Sequence, residues 1–448
     1  MDVDTIFTRF AFFEAPFDKV SHIERMTDED YLGCVVMRTL RLRGQERHTL
    51  YEGVLRKPRL LNHYIHSSRV FQTTVAGKQF HVAGSYFCQQ DSLLGVCAHA
   101  ALKMMLRNLG TDLRDEDINA FLGIDHESHW VGQKNGEVRG PTIEEMSAVL
   151  EKQGFSVQMQ DYKENPEYAY DQFLYHALES GSPGFLCFNT TTDHDLHVVT
   201  VVGHTLDSDT WDVSARTGYI EAYLPNHKPA EFSTQWVDHF IIQDDNFGMY
   251  YSLPRECLKR ETPYAQKPQF RARYALTVYP RGILRTSRQA EDRSVERAQA
   301  ILEKLPPHTG LEWLNELRKA AVETILSPVY RTLLLSRSDY REHLAGMRDN
   351  FGKSIEEEVR NLLLKGVPDS IWMTEITLPD IYTANKAKLG EVVWSATSLE
   401  PEFTIRIPGF AVRTSSPETQ PEVLTSRIRG YVPLFRNDVA SDWRLPEY

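Results

Sequence analysis

Between residues 97 and 280 the chain carries helical periodicity first and strand runs afterwards, and that order constrains its fold more than any other feature. Helical patterns run through CAHAALKMMLRNL, LRDEDINAFLG, PTIEEMSAVLEKQGF and EYAYDQFLYHALESG; PGFLCFN, LHVVTVVGHTL, WVDHFIIQ, MYYSLP and RYALTVYP then read as strands. Helices followed by strands, without alternation, predict an α+β domain with an antiparallel sheet. The first helix matters most, because a single cysteine stands where its entry turn becomes helical. After Cys97, apolar residues recur at Ala101, Met104, Met105 and Leu109, and Gly110 follows as a stop. A thiol in the first helical turn meets unpaired backbone N–H groups and the positive end of the helix dipole, both of which favour thiolate. Free thiols titrate near ~8.5, and such settings lower that to roughly 3.5–7.5. Cys97 is therefore a candidate nucleophile, set against the plainer reading of a small, inert packing residue.

Other residues add to Cys97. Gln89 and Gln90 lie on the turn entering the helix, where a side-chain amide can donate to an oxyanion beside the Cys97 backbone N–H. His197 begins the β-branched run DLHVVTVVGHT, and WVDHFIIQDDNFGMYYSLP reads as strand, acidic turn and strand, with Asp244 and Asp245 in the turn. Cysteine on a helix, histidine on a strand and carboxylate at the end of the next strand is the arrangement a thiol–imidazole–carboxylate triad requires.

These residues carry a resemblance. The chain resembles papain-like cysteine peptidases, in particular the bacterial branch that includes double-glycine leader peptidases. In that branch a Gln precedes the Cys, a helix rich in small residues follows, the His begins a valine-rich strand, and an Asp completes the triad. The resemblance implies Cys97 as nucleophile, His197 as base, Asp244 as orienting carboxylate and Gln90 as oxyanion donor. It covers about residues 81 to 280. Three departures stand out: Gln90 is one residue further from the cysteine than usual, Ala98 replaces the common Gly, and a doubled Asp replaces Asp-Pro. The first leaves Gln89 open against Gln90, and the last leaves Asp245 open against Asp244. The implied fold is a papain-like domain of helical half plus antiparallel sheet.

Around this unit, residues 1–80 alternate short apolar runs with turn signals and predict a β-rich N-terminal extension that shapes or covers the cleft; Gly77 with Lys78 marks a hairpin turn. The loop HESHWVGQKNGEVRG is a candidate cleft lining, or equally a surface loop. Residues 281–448 predict a second α+β domain, with helices in TSRQAEDRSVERAQAILEKL, GLEWLNELRKAAVETIL and SIEEEVRNLLLKG and strands in YRTLLLSR, IWMTEITL, EVVWSAT and FTIRIPG. The tail from Thr414 is expected to hold little structure before GYVPLF. No catalytic motif falls in this unit, which is expected to confer specificity or bind a partner protein.

A net charge of -12 argues against nucleic acid or an anionic membrane as the main partner, leaving a protein or peptide substrate. The start MDVDTIFTRFAFFEAPF is acidic where a signal peptide is basic, so a cytoplasmic protein is expected, and the lack of a transporter-like segment argues against a dedicated export role. Cys34, Cys88, Cys97, Cys187 and Cys257 are odd in number and scattered, which does not suggest a disulfide framework. His194, His197, Cys97 and His99 lack the spacing of a zinc site, so no metal is expected. Serine hydrolase chemistry finds no support, since no GxSxG elbow occurs, and a phosphate-binding GxxxxGK loop is absent; no cofactor is expected. His204 reads as a satisfied core histidine. The expected activity is peptide or isopeptide hydrolysis; deamidation or acyl transfer by the same triad, and an idle papain-like binding scaffold, are the alternatives.

Overall fold

Strand runs before residue 88 close into an antiparallel sheet whose inner face is apolar. In a computed structural model of the chain, the structure describes residues 4–42, 45–57, 63–65, 69–89, 97–122, 141–163, 169–189, 196–206, 231–258, 271–304, 328–347, 353–377, 387–400, 402–407, 410–414, 422–425, 432–433 and 435. The N-terminal strands are β1 (Asp4–Phe13), β2 (Tyr31–Leu42), β3 (Gln45–Arg56), β4 (His63–Ile65), β5 (Val70–Val75) and β6 (Lys78–Phe87). Five of them form a sheet in the order β1-β2-β3-β6-β5, while β4 joins the next sheet. The β5–β6 hairpin turns on Ala76 and Gly77, one residue earlier than Gly77 with Lys78, because Val75 pairs with Lys78. Both turn residues have positive φ, 49° and 84°, as a two-residue hairpin of matching twist requires.

The central unit is built as its periodicity predicts. It comprises helices α1 (Cys97–Asn108), α2 (Asp115–Leu122) and α3 (Ile143–Lys152), strand β7 (Phe155–Asp161), helix α4 (Tyr170–Glu179), and strands β8 (Gly184–Asn189), β9 (Leu196–Leu206), β10 (Glu231–Phe232), β11 (Val237–Asp244), β12 (Gly248–Pro254) and β13 (Ala272–Pro280). The capping box of α3 is complete: Glu145 N–H donates to Thr142 Oγ1 at 3.3 Å and Thr142 N–H to Glu145 Oε2 at 2.7 Å. The sheet runs β12-β11-β9-β8-β13-β7, with β4 also on β9, and every neighbour is antiparallel. β7 interrupts the expected helical half. Its sequence FSVQMQD alternates apolar Phe155, Val157 and Met159 with polar residues, a strand pattern set directly behind the helix stop at Gly154, and β13 supplies the pairing.

Beyond it come α5 (Ser287–Lys304), β14 (Val329–Ser336), α6 (Arg337–Ala345), α7 (Glu357–Leu364), β15 (Ser370–Thr377), β16 (Ala387–Lys388), β17 (Gly390–Ser395), β18 (Phe403–Ile407), β19 (Phe410–Thr414), β20 (Glu422–Thr425) and β21 (Val432–Pro433). Their sheet is ordered β10-β14-β15-β17-β18-β19-β20. β20, in the stretch expected to hold little structure, extends it by pairing with β19. The expected helix GLEWLNELRKAAVETIL and the loop HESHWVGQKNGEVRG lie outside the described residues. Among the described residues, no helix is long and apolar enough to cross a membrane.

The three sheets share cores. Tyr31, Phe80 and Tyr86 of the first sheet pack in one cluster with Ala101, Leu102 and Met105 of α1 and with Phe185, Val198 and Leu276 of the central sheet. Tyr175, Phe188, Val199 and Phe240 fill a second cluster with Val329 of β14. β10 pairs in parallel with β14, so one short strand of the central segment belongs to the C-terminal sheet. The chain is thus a mixed α+β structure of several antiparallel sheets.

Candidate active site

The site forms where α1 crosses β9. Alanines at 98 and 101 have no bulk beyond Cβ and are buried, which lets the helix lie close to the strand. Thr200 Oγ1 of β9 donates to the Ala101 carbonyl at 3.2 Å and pins the approach. Cys97, the first residue of α1, is half-buried, and its Sγ stands 4.0 Å from the Leu196 carbonyl. That carbonyl belongs to the residue before His197. Cys97 also acts on the His197 imidazole, favouring its protonated form.

His197 also meets carboxylates. Nε2 lies 3.2 Å from Asp244 Oδ1 and 3.7 Å from Asp245 Oδ1, and all three side chains are buried. Asp244 Oδ1 also accepts the backbone N–H groups of Asn246 at 2.8 Å and Phe247 at 3.3 Å, which hold the carboxylate in place. Burial opposes the charge on His197, but the bonds to Asp244 and Cys97 outweigh it and raise its pKa to about 10. Burial likewise opposes ionisation of Asp244, yet the His197 bond and the two amides bring it below the ordinary carboxylate range.

Asp245 is different. It is 3% exposed, neither oxygen accepts a hydrogen bond from another residue, and burial raises its pKa from the ordinary 3.8 to about 6 despite the nearby imidazole. Because the folded pKa lies above the unfolded one, the group adds stability below about pH 4 that is lost as pH rises through about 6. Asp245→Asn is therefore expected to be more stable than wild type at pH 7.5, on the order of 2–3 kcal/mol from a shift of this size. Urea unfolding at pH 4 and pH 7.5 checks this: the gap between variant and wild type must open with pH, and a gap independent of pH contradicts it.

The oxyanion candidates are placed unequally. Gln89 Oε1 accepts Leu50 N–H at 2.7 Å, and Gln89 N–H donates to the Leu50 carbonyl at 2.9 Å, so its side-chain carbonyl is committed to β3. Gln90 lies outside the described residues, as does His194. His204, further along β9, is a satisfied core histidine with Nε2 2.6 Å from Glu179 Oε1.

Two other cysteines are held as thiols. Burial, with the nearby Cys97 charge, pushes the Cys187 thiol well above its ordinary range, and burial also raises Cys257. Among the described residues one cluster has metal-ligand character: His197, Asp244 and Asp245 place ligand atoms within 4.8 Å of one another. The proton on His197 already supplies the positive charge there.

Residues that sequence reasoning missed lie in the hairpin, above all Gln243, which precedes Asp244, and Tyr250, whose N–H donates to Gln243 Oε1. Nothing in GMYYSLP distinguishes Tyr250 from an ordinary strand residue. No protein-family model matches the chain, and no curated protein matches it in sequence, so the functional reading stands on the chemistry of the site.

Proposed function

We propose that the protein is a cysteine peptidase of papain-like type, cleaving a peptide or isopeptide bond with Cys97, His197 and Asp244. One observation carries this reading: a cysteine opening a helix and a carboxylate closing a strand both act on one buried imidazole, His197, and raise its basicity. The Cys97 thiolate attacks the scissile carbonyl carbon. The resulting oxyanion is stabilised by N–H groups at the start of α1 and by the Gln90 amide. His197 then donates its proton to the leaving amine as the C–N bond breaks, leaving a thioester. Water, deprotonated by His197, hydrolyses the thioester, releasing the acid and restoring the Cys97 thiolate beside protonated His197. Asp244 orients the ring and stabilises the imidazolium throughout. The C-terminal sheet is assigned to substrate selection or partner binding.

An electrophilic active-site probe followed by peptide mapping tests the reading. Under native conditions Cys97 is expected to be modified selectively among the five cysteines, with labelling lost on denaturation. Modification spread evenly over exposed thiols would refute it. Incubation with a peptide library then separates chemistries: new peptide N-termini report hydrolysis, whereas release of ammonia reports deamidation.

A further inference from the structure

We propose that Tyr250, held by the N-terminal sheet, is a positioning residue that sets the Asp244 carboxylate against His197. For its catalytic consequence the inference rests on the peptidase reading; for its effect on His197 it rests on the hairpin alone.

The β11–β12 hairpin carries an irregularity beside the carboxylates. Ile242 pairs with Tyr251 and Asp244 with Gly248, so Met249 and Tyr250 together oppose Gln243. This is a β-bulge, one extra residue on β12. Tyr250 takes the left-handed conformation there, with φ 52°, which a side chain bearing a Cβ adopts only when its surroundings impose it. Its N–H, displaced from the ladder, donates to Gln243 Oε1 at 3.1 Å.

What imposes the conformation is the first sheet. The Tyr250 hydroxyl donates to the Leu55 carbonyl of β3 at 2.8 Å and accepts Ser85 N–H of β6 at 2.8 Å. Leu55 and Ser85 are paired residues, so the phenol bridges two adjacent strands. Met249 packs where Gly53 of β3 has no side chain; a Cβ on Gly53 would stand 2.8 Å from its Cε.

The bulge decides where the hairpin closes. With the extra residue absorbed, the turn closes at Asp244–Gly248 and its loop presents the amides of Asn246 and Phe247 to Asp244 Oδ1. Without it, Asp244 would pair with Met249, the loop would gain a residue, and both amides would leave the carboxylate. A residue outside the triad, clamped by strands far away in sequence, thus fixes which oxygen His197 meets.

Tyr250→Phe in the full-length protein removes both hydroxyl bonds and keeps the ring. The His197 imidazole, followed by NMR titration, is expected to fall by about one pH unit toward its ordinary value, and the pH profile of iodoacetamide labelling of Cys97 to shift with it. Gln243→Met removes the acceptor of the Tyr250 N–H and is expected to give the same shift by a separate route, which covers the case in which Tyr250→Phe does not fold. A folded variant of either kind that keeps the wild-type His197 midpoint and labelling profile overturns the proposal, even if its melting temperature drops. If His197→Ala leaves Cys97 labelling unchanged while Tyr250→Phe still lowers the His197 midpoint, the peptidase reading fails and the positioning role stands.

Discussion

His197→Ala is expected to slow any peptide hydrolysis by roughly 10²–10⁴-fold, the usual contribution of a positioned acid–base group, and alkylation of Cys97 at pH 7 by roughly tenfold to thirtyfold, the thiolate lost by a free thiol near ~8.5. The expected pH profile is as diagnostic as the rate. Held by Asp244 and Cys97, the imidazole stays cationic to about pH 10, so in the wild type the cation beside the sulfur persists from pH 6 to 9. In the variant the cation beside the sulfur is gone. Its rate should rise through pH 8 to 9, as for a free thiol near ~8.5. Stopped-flow alkylation across that range makes the comparison, and identical profiles for the two proteins would remove His197 from the mechanism.

The second large effect lies away from the site. Arg331 of β14 is buried; Nε and Nη2 bind Glu179 of α4, Nε at 2.7 Å, and Nη1 binds Glu375 at 2.7 Å and the Phe435 carbonyl at 2.9 Å. The chain of charges continues through Lys388, 2.8 Å from Glu375 and 2.6 Å from Glu391, to Arg406 on Glu391. Glu179 also holds His204, so the network reaches β9, the strand that carries His197. Arg331→Ala leaves two carboxylates buried without their shared cation, and such broken pairs cost about 3–5 kcal/mol. Denaturant midpoints should fall accordingly. Arg331→Lys, which keeps the charge but not the planar fork, is expected to lose less. A loss below about 1 kcal/mol for Arg331→Ala would show that water or rearranged partners satisfy the carboxylates.

This network bears on how the chain divides. Composition and periodicity place a boundary near residue 281, and chemistry-bearing residues do fall on one side of it. Yet Arg331–Glu179 and the β10–β14 pair both cross that boundary. Ending the chain there would strip the cation from Glu179 and the pairing partner from β10. Residues 281–448 therefore support the central sheet mechanically, whatever they bind.

Local sequence determined the elements whose signals are complete within a few residues. Thr142 and Glu145 announce the start of α3 because both capping bonds span three residues. The β-branched run after His197 makes β9 a buried strand, and helices before strands made the α+β class legible. α6 escaped notice because its capping residues, Ser336 and Asp339, follow directly on an apolar strand that masks the change of period. Tertiary structure alone decided which of two adjacent carboxylates is anchored opposite His197. Asp244 and Asp245 are chemically the same and one position apart, so no propensity separates them. The choice depends on where the β11–β12 hairpin closes, and a bulge locked by Leu55 and Ser85 sets that point from almost two hundred residues away in sequence. Cross-strand register of this kind is a property of contacts distant in sequence, and only the folded chain brings them together.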